Sequence, residues 1–267
     1  MWKALIASDV DGTLLQEGAK ALPEELFTLI RSGLAHDIQF VAASGRDYAS
    51  LTSLFAPVKD EIYFISTNGG QLFHKDRLLL EYSVPKTTVA DLAAAIEAAP
   101  GLEVLVSTST ASLMKPHNHG FHKAIAGLGN RVLLIDSFLD IDEPIMKVSA
   151  YCPEGALAQY ERFADEWGES FKITVAGDTW LDFNAADKGG TLAHLSNSLG
   201  LEAGQVYAFG DQYNDLPMLD YAGQPFLMGH AAEALRRRGY PLTAYVPDEI
   251  RRILQAHGVD ELGVRAV

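Results

Sequence analysis

Two aspartates, Asp9 and Asp11, stand two residues apart where a short apolar run, Ala4 to Ala7, gives way to the polar turn Asp9-Val10-Asp11-Gly12-Thr13. Carboxylates so placed repel each other unless a cation sits with them. Asp and Gly are also common turn residues, so a plain polar turn is one reading. A calcium loop is excluded, because it needs acids or amides at positions one, three and five and Gly at six. Thr13 and Leu14 occupy positions five and six here. Magnesium is the other reading, since it takes few protein carboxylates and completes its shell with water and substrate phosphate.

A second acidic cluster, Gly210-Asp211-Gln212-Tyr213-Asn214-Asp215, follows the apolar run Val206 to Phe209 just as Asp9 follows its own. If both runs are strands of an open parallel sheet, both turns lie at the carboxyl edge, where such sheets bind ligands. Ser44 and Gly45 follow a third run, Gln39 to Ala43, and land on the same rim. Lys188 opens a helical pattern, where the helix dipole disfavours a cation. A lysine placed against the dipole implies something anionic in front of it.

This set suits phosphoryl transfer. A phosphate dianion and a carboxylate at about 4 Å repel by several kcal/mol at an effective dielectric near 20. A magnesium ion and one lysine reverse that locally. Uncatalysed phosphate-monoester hydrolysis calls for accelerations of up to ~10²¹, so nucleophile, acid/base, metal and phosphate clamp should all be present. Asp9 is the candidate nucleophile, giving an aspartyl-phosphate, and Asp11 the candidate acid and base. Asp9 and Asp211, with the backbone carbonyl of Asp11, can hold Mg2+. Ser44 and Asn214 can donate to phosphate oxygens, and Lys188 can neutralise them.

The elements that must position these residues alternate as strand and helix. A helix is expected from about Pro23, with Glu24 and Glu25 at its positive end and Leu26, Leu29, Ile30 and Leu34 as its buried stripe. A strand over Gln39 to Ala43, a helix from about Tyr48 and a strand over Ile62 to Ser66 follow, then a turn at Asn68-Gly69-Gly70. From about Pro85 to Phe183 the pattern shifts toward paired strands, at Glu103 to Ser107, Ile145 to Tyr151, Phe171 to Ala176 and Trp180 to Phe183, with helices near 89–98 and 155–167. After Lys188 the strand–helix rhythm returns. The fold class expected is α/β: a Rossmann-like parallel-sheet core of residues 1–82 and 185–267, interrupted by an inserted α+β domain of residues 83–184.

Composition bounds the function. The 267 residues are 48% apolar and 21% charged, as in a folded globular chain. The formal charge of −14 opposes binding to nucleic acid or an anionic membrane. One cysteine, Cys152, excludes an internal disulfide or a multi-cysteine zinc site. No apolar run approaches the roughly 18 residues of a spanning helix, and Asp9 cuts the first run too early for a secretory signal. A cytoplasmic monomer or small homo-oligomer is expected.

Asp9-Val10-Asp11-Gly12-Thr13, Ser44-Gly45-Arg46, Lys188-Gly189 and Gly210-Asp211-x-x-Asn214-Asp215 resemble the four motifs of the haloacid dehalogenase superfamily, in their usual order. The long stretch between Ser44 and Lys188 leaves room for a cap inserted after the third strand, as in the Cof-type subfamily of sugar and small-metabolite phosphatases. The resemblance implies a cap that closes over substrate, magnesium dependence and the roles given above. It also implies a phosphate-binding set of Asp9, Val10, Asp11, Ser44, Gly45, Lys188 and Asn214, with Asp215 orienting Lys188. Motif two carries Ser44 where Thr is usual, which keeps the hydroxyl. His230 stands where the family often has Asn. Within the insert, Asp182, Asn184 and His117 are candidate substrate contacts, against hinge hydrogen bonding and an ordinary polar surface. Lys115, His119 and His122 share that surface with His117. The expected activity is hydrolysis of a small phosphorylated metabolite, most readily a sugar phosphate. A phosphomutase and a catalytically retired binding module are the alternatives.

Overall fold

A computed structural model describes residues 1–16, 18–108, 110–127, 131–176 and 178–259. The chain divides into two compact units, one formed by Met1–Glu81 with Asp187–Val267 and the other by Tyr82–Ala186.

The first unit opens with β1 (Ala4–Ser8), α1 (Glu24–Leu34), β2 (Ile38–Ala43), α2 (Tyr48–Leu54) and β3 (Tyr63–Ser66). A hairpin of β4 (Gln71–His74) and β5 (Arg77–Glu81) follows. The sequence places the insertion after the third strand, at residues 83–184. The hairpin extends the sheet antiparallel beyond β3 before the second unit begins. The chain reverses between β3 and β4 through Thr67 and Asn68 and between β4 and β5 through Lys75 and Asp76, all four at positive φ.

The second unit contains α3 (Lys86–Glu97), β6 (Glu103–Thr108), β7 (Ser112–Met114), α4 (His119–Gly127), β8 (Val132–Leu134), β9 (Ile145–Tyr151), α5 (Leu157–Trp167), β10 (Lys172–Ala176) and β11 (Trp180–Asn184). Its sheet runs β10-β11-β9-β6-β7-β8 and is antiparallel apart from the β7–β8 pair. Side chains alternate across it, as pleating requires. Val104, Val106, Val148, Ala150, Leu181 and Phe183 pack with residues of α3 and α5. On the opposite face α4 covers Leu105 and Met114 with Phe121 and Ile125. Helix α4, β7 and β8 were not foreseen; His119 and His122 lie on α4 rather than in a loop.

The first unit resumes with α6 (Lys188–Ser198), β12 (Val206–Gly210), α7 (Leu216–Tyr221), β13 (Gln224–Met228), α8 (Glu233–Arg236), β14 (Leu242–Thr243) and α9 (Val246–Ala256). The eight strands run β14-β13-β12-β1-β2-β3-β4-β5, with β14 through β3 parallel. Every residue of β1 and β2 is buried because helices cover both faces. Ala4, Ile6, Ile38 and Phe40 meet residues of α1 and α9, while Leu5, Ala7, Val41 and Ala43 meet residues of α6 and α7. That two-sided burial explains why both strands read as unbroken apolar runs. The sheet grows one way from β1 through β2 and the other way through β12, so the crevice between β1 and β12 is its topological switch point. No helix among the described residues is long and apolar enough to cross a membrane.

Candidate active site

Parallel register brings three turns to one rim of the first unit. Ser8 pairs with Phe209 on one side and Ala42 on the other, so Asp9, Ser44 and Asp211 emerge at the same sheet edge. The amide of Asp9 donates to the carbonyl of Phe209 at 2.9 Å, fixing β1 to β12 where the two acidic turns start.

Lys188 sits at the first turn of α6, fully buried, and its Nζ donates to Asp9 Oδ1 and to Asp215 Oδ1, each at 2.6 Å. The sequence reading inferred an anion in front of this lysine, and the chain's own two carboxylates occupy that position. Burial pulls the ammonium toward neutrality, but Asp215 and Asp9 hold its pKa above the ordinary lysine value. The second oxygen of Asp215 accepts from the amides of Asp211 and Gln212, each at 2.9 Å. Asp215 is therefore anchored on both oxygens and can orient Lys188. The helix itself is capped by Asp187, whose Oδ1 accepts from the amide of Gly190 at 2.7 Å.

Asp211 is buried and accepts from Thr13 Oγ1 at 2.8 Å and Gln212 Nε2 at 3.1 Å. Gly12 makes room for it. A Cβ on that residue, whose φ is +87°, would lie 2.4 Å from Asp211 Oδ2. Burial, helped by Asp215, raises the Asp211 carboxyl above its usual range. Burial does more at Asp9: with Asp215 and Asp211 nearby it pushes the carboxyl up to about 8, although Lys188 pulls the other way.

Oxygens of Asp9, Asp211 and Asp215 lie within 4.8 Å of one another. With all three carboxylates ionised, one ammonium would leave a surplus of two negative charges, which one divalent cation would neutralise; without a cation, the proton on Asp9 relieves part of it. Since Asp215 is engaged with Lys188 and two amides, Asp9 and Asp211 are the carboxylates left for such an ion. An all-oxygen donor set of this kind suits magnesium.

Asp11 faces differently. Its carboxylate is half-exposed and gripped by Arg46, with Nε to Oδ2 at 2.8 Å and Nη2 to Oδ1 at 2.7 Å. This two-point pairing holds the Asp11 carboxyl below the ordinary value. Ser44 Oγ approaches the same carboxylate at 3.5 Å and accepts from the Arg46 amide at 3.2 Å. Asn214 donates from Nδ2 to Asn68 Oδ1 at 3.0 Å. The amides of Val10 and Gly45 donate to no described residue, which leaves them for an anion. Around this rim a cavity of about 880 Å3 is lined by Asp11, Gly12, Arg46, Asp211, Gln212 and His230.

The sequence reading singled out neither the Arg46 grip on Asp11 nor Asn68. Asn68 follows β3 with the same polarity as Ser44 after β2, so the rim argument could have found it. The remaining three candidates belong to the second unit, each with partners there. Asp182 accepts from Lys147 Nζ at 2.9 Å and Ser149 Oγ at 2.7 Å. Asn184 Nδ2 donates to the Lys172 carbonyl and Thr174 Oγ1, each at 3.1 Å, and its buried Oδ1 has no partner among the described residues. His117 pairs with Glu103 at 3.2 Å.

Comparison with known proteins places this geometry among hydrolases. A family model described as haloacid dehalogenase-like hydrolase matches residues 6–245. The 5-amino-6-(5-phospho-D-ribitylamino)uracil phosphatase YbjI of Escherichia coli is 25% identical over 235 residues, covering 86% of this chain and 87% of that protein. The HMP-PP phosphatase of Citrobacter koseri is 26% identical over 250 residues, covering 86% of each. Among solved structures, a protein of Streptococcus mutans superposes with a TM-score of 0.84 at 24% identity, over 96% of this chain and all of that one (100%). A sugar phosphatase, BT4131, described as subclass IIB of the same superfamily, gives 0.75 at 19% identity over 96% and 99% of the two chains.

Proposed function

Because the chain belongs to the haloacid dehalogenase-like hydrolase family, we propose that it is a phosphatase of small phosphorylated metabolites, sugar phosphates foremost, working through an aspartyl-phosphate on Asp9. The observation that carries the reading is the buried surplus of negative charge around Asp9, with Lys188 shared between Asp9 and Asp215. Mg2+ held by Asp9, Asp211 and the backbone carbonyl of Asp11 would offset charge on the phosphate oxygens.

The amides of Val10 and Gly45, the Ser44 hydroxyl, the Asn214 amide and the Lys188 ammonium receive the phosphoryl oxygens. Lys188 also fixes the Asp9 rotamer, so that the nucleophile is oriented before substrate arrives. Asp9 attacks phosphorus; a new carboxylate–phosphorus bond forms as the ester bond breaks. Asp11 gives its proton to the departing alkoxide. A water then attacks the aspartyl-phosphate, Asp11 takes its proton, inorganic phosphate leaves and Asp9 is regenerated. For the first of these transfers Asp11 must leave the fork of Arg46, which favours its ionised form.

The relatives named above act on a phosphoribitylamino-uracil and on HMP-PP, and a comparable organic phosphate is the expected substrate class here. Purified protein should release inorganic phosphate from p-nitrophenyl phosphate with magnesium and not without it. Asp9→Asn should fold and lower turnover by at least about 10³-fold. Normal hydrolysis by that variant would remove the nucleophile, and isomerisation of a sugar phosphate without phosphate release would favour a mutase.

A further inference from the structure

The second unit carries a cavity of about 460 Å3 that none of the residues of the acidic rim of the first unit helps to line. Its walls come from the face of the sheet that α4 partly covers. Trp180 on β11 pairs with Tyr151 on β9, and Tyr151 pairs with Glu103 on β6, so the three side chains stand in one row across the sheet. Phe121 of α4 closes the row, its ring centroid 5.4 Å from Tyr151 and 6.1 Å from Trp180, while Tyr151 and Trp180 are 5.1 Å apart. Phe121 is buried, whereas Tyr151 and Trp180 are only half-buried, so two aromatic surfaces remain to meet a ligand.

The polar groups of the cavity are few. Glu103 is the one charged residue lining it among the described residues. Its carboxylate is four-fifths buried and held in place by Asn118 Nδ2 and by His117. Asn118 is fixed in turn, because its Oδ1 accepts from the amide of Phe121 at 3.0 Å and caps α4. A carboxylate has about four acceptor positions, and two are taken here. The Tyr151 hydroxyl and Trp180 Nε1 make no hydrogen bond to other described residues. Volume, aromatic walls and a small number of oriented polar groups are the features of a small-molecule site.

We propose that this cavity binds a planar, nitrogen-bearing cation, such as an aromatic amidinium or a protonated heteroaromatic amine. Stacking and cation–π attraction on Tyr151 and Trp180 hold the ring, and the open acceptor positions of Glu103 take its N–H donors. The same carboxylate repels an anion of equal shape, so the site is chemically opposite to the phosphate-binding rim of the first unit.

Three isosteres separate these terms: benzamidinium, benzamide and benzoate, titrated into the full chain and followed by calorimetry and by saturation-transfer NMR. Benzamidinium should bind at least about tenfold more tightly than benzamide, and benzoate should not bind. Glu103→Gln should abolish the preference for the cation, and Trp180→Leu should abolish binding. Should Trp180→Leu fail to fold, the Glu103→Gln titration decides alone. Asp211→Asn, which alters the acidic rim of the first unit, should leave benzamidinium affinity unchanged. Equal affinity for the three compounds, absence of binding, or loss of binding in Asp211→Asn would each overturn the proposal.

Discussion

At the residue scale, the pairing of Asp11 with Arg46 sets a pH dependence that can be measured. Arg46 holds the Asp11 carboxyl below its ordinary value, so removing the guanidinium moves that pKa upward. Under the proposed mechanism Asp11 must be ionised to take a proton from water. The acid limb of the kcat profile should therefore shift to higher pH in Arg46→Ala, with KM changing less than kcat. The acidic and hydroxyl residues of this rim were legible in the sequence because each follows an apolar run of the same polarity. The Arg46 fork was not, since side-chain direction across 35 positions leaves no trace in spacing. The Asn214–Asn68 contact spans 146 positions and was hidden for the same reason.

At the scale of elements, α6 carries the lysine, and its start depends on Asp187. Asp187→Ala removes the acceptor for the Gly190 amide and should lower stability by about 1 kcal/mol, as read from denaturant unfolding. Because that cap fixes the first turn, the substitution should also reduce kcat more than a surface change of equal destabilisation. The long buried strands β1, β2 and β12 and the amphipathic helix α1 were readable, since continuous apolar runs and a helical stripe are strong patterns. Strands β7 and β8 have three residues each and show no period. Helix α4 carries one start signal, Asn118 at its cap, within a run of histidines that fits metal or ligand contact equally well. The reversal from β3 into β4 was foreshadowed by the turn Asn68-Gly69-Gly70, whereas the β4–β5 turn at Lys75-Asp76 carries no glycine to mark it.

At the scale of the whole molecule, a formal charge of −14 surrounds a site that must accept an anion. Without a cation, Asp9 keeps its proton up to about 8 in the fold, while its ordinary value is 3.8. Folding therefore takes up a proton between these values. The contribution of Asp9 to stability is full below 3.8 and declines as pH rises toward 8. A divalent cation needs the ionised carboxylate, so protons and magnesium compete for this site. At a fixed magnesium concentration, the gain in Tm should grow as pH rises from about 6 to about 8, with proton release in calorimetry. Asp211→Asn should flatten that dependence. The division of chemistry between an acidic interior and a neutralising ion also defines the most direct test of the whole account. Protein mixed with magnesium and p-nitrophenyl phosphate, quenched in acid within one turnover and mapped by mass spectrometry, should carry one phosphoryl group on the peptide containing Asp9. Phosphate release at an unchanged rate with that peptide unmodified at every quench time, or with the label on another residue, would contradict it.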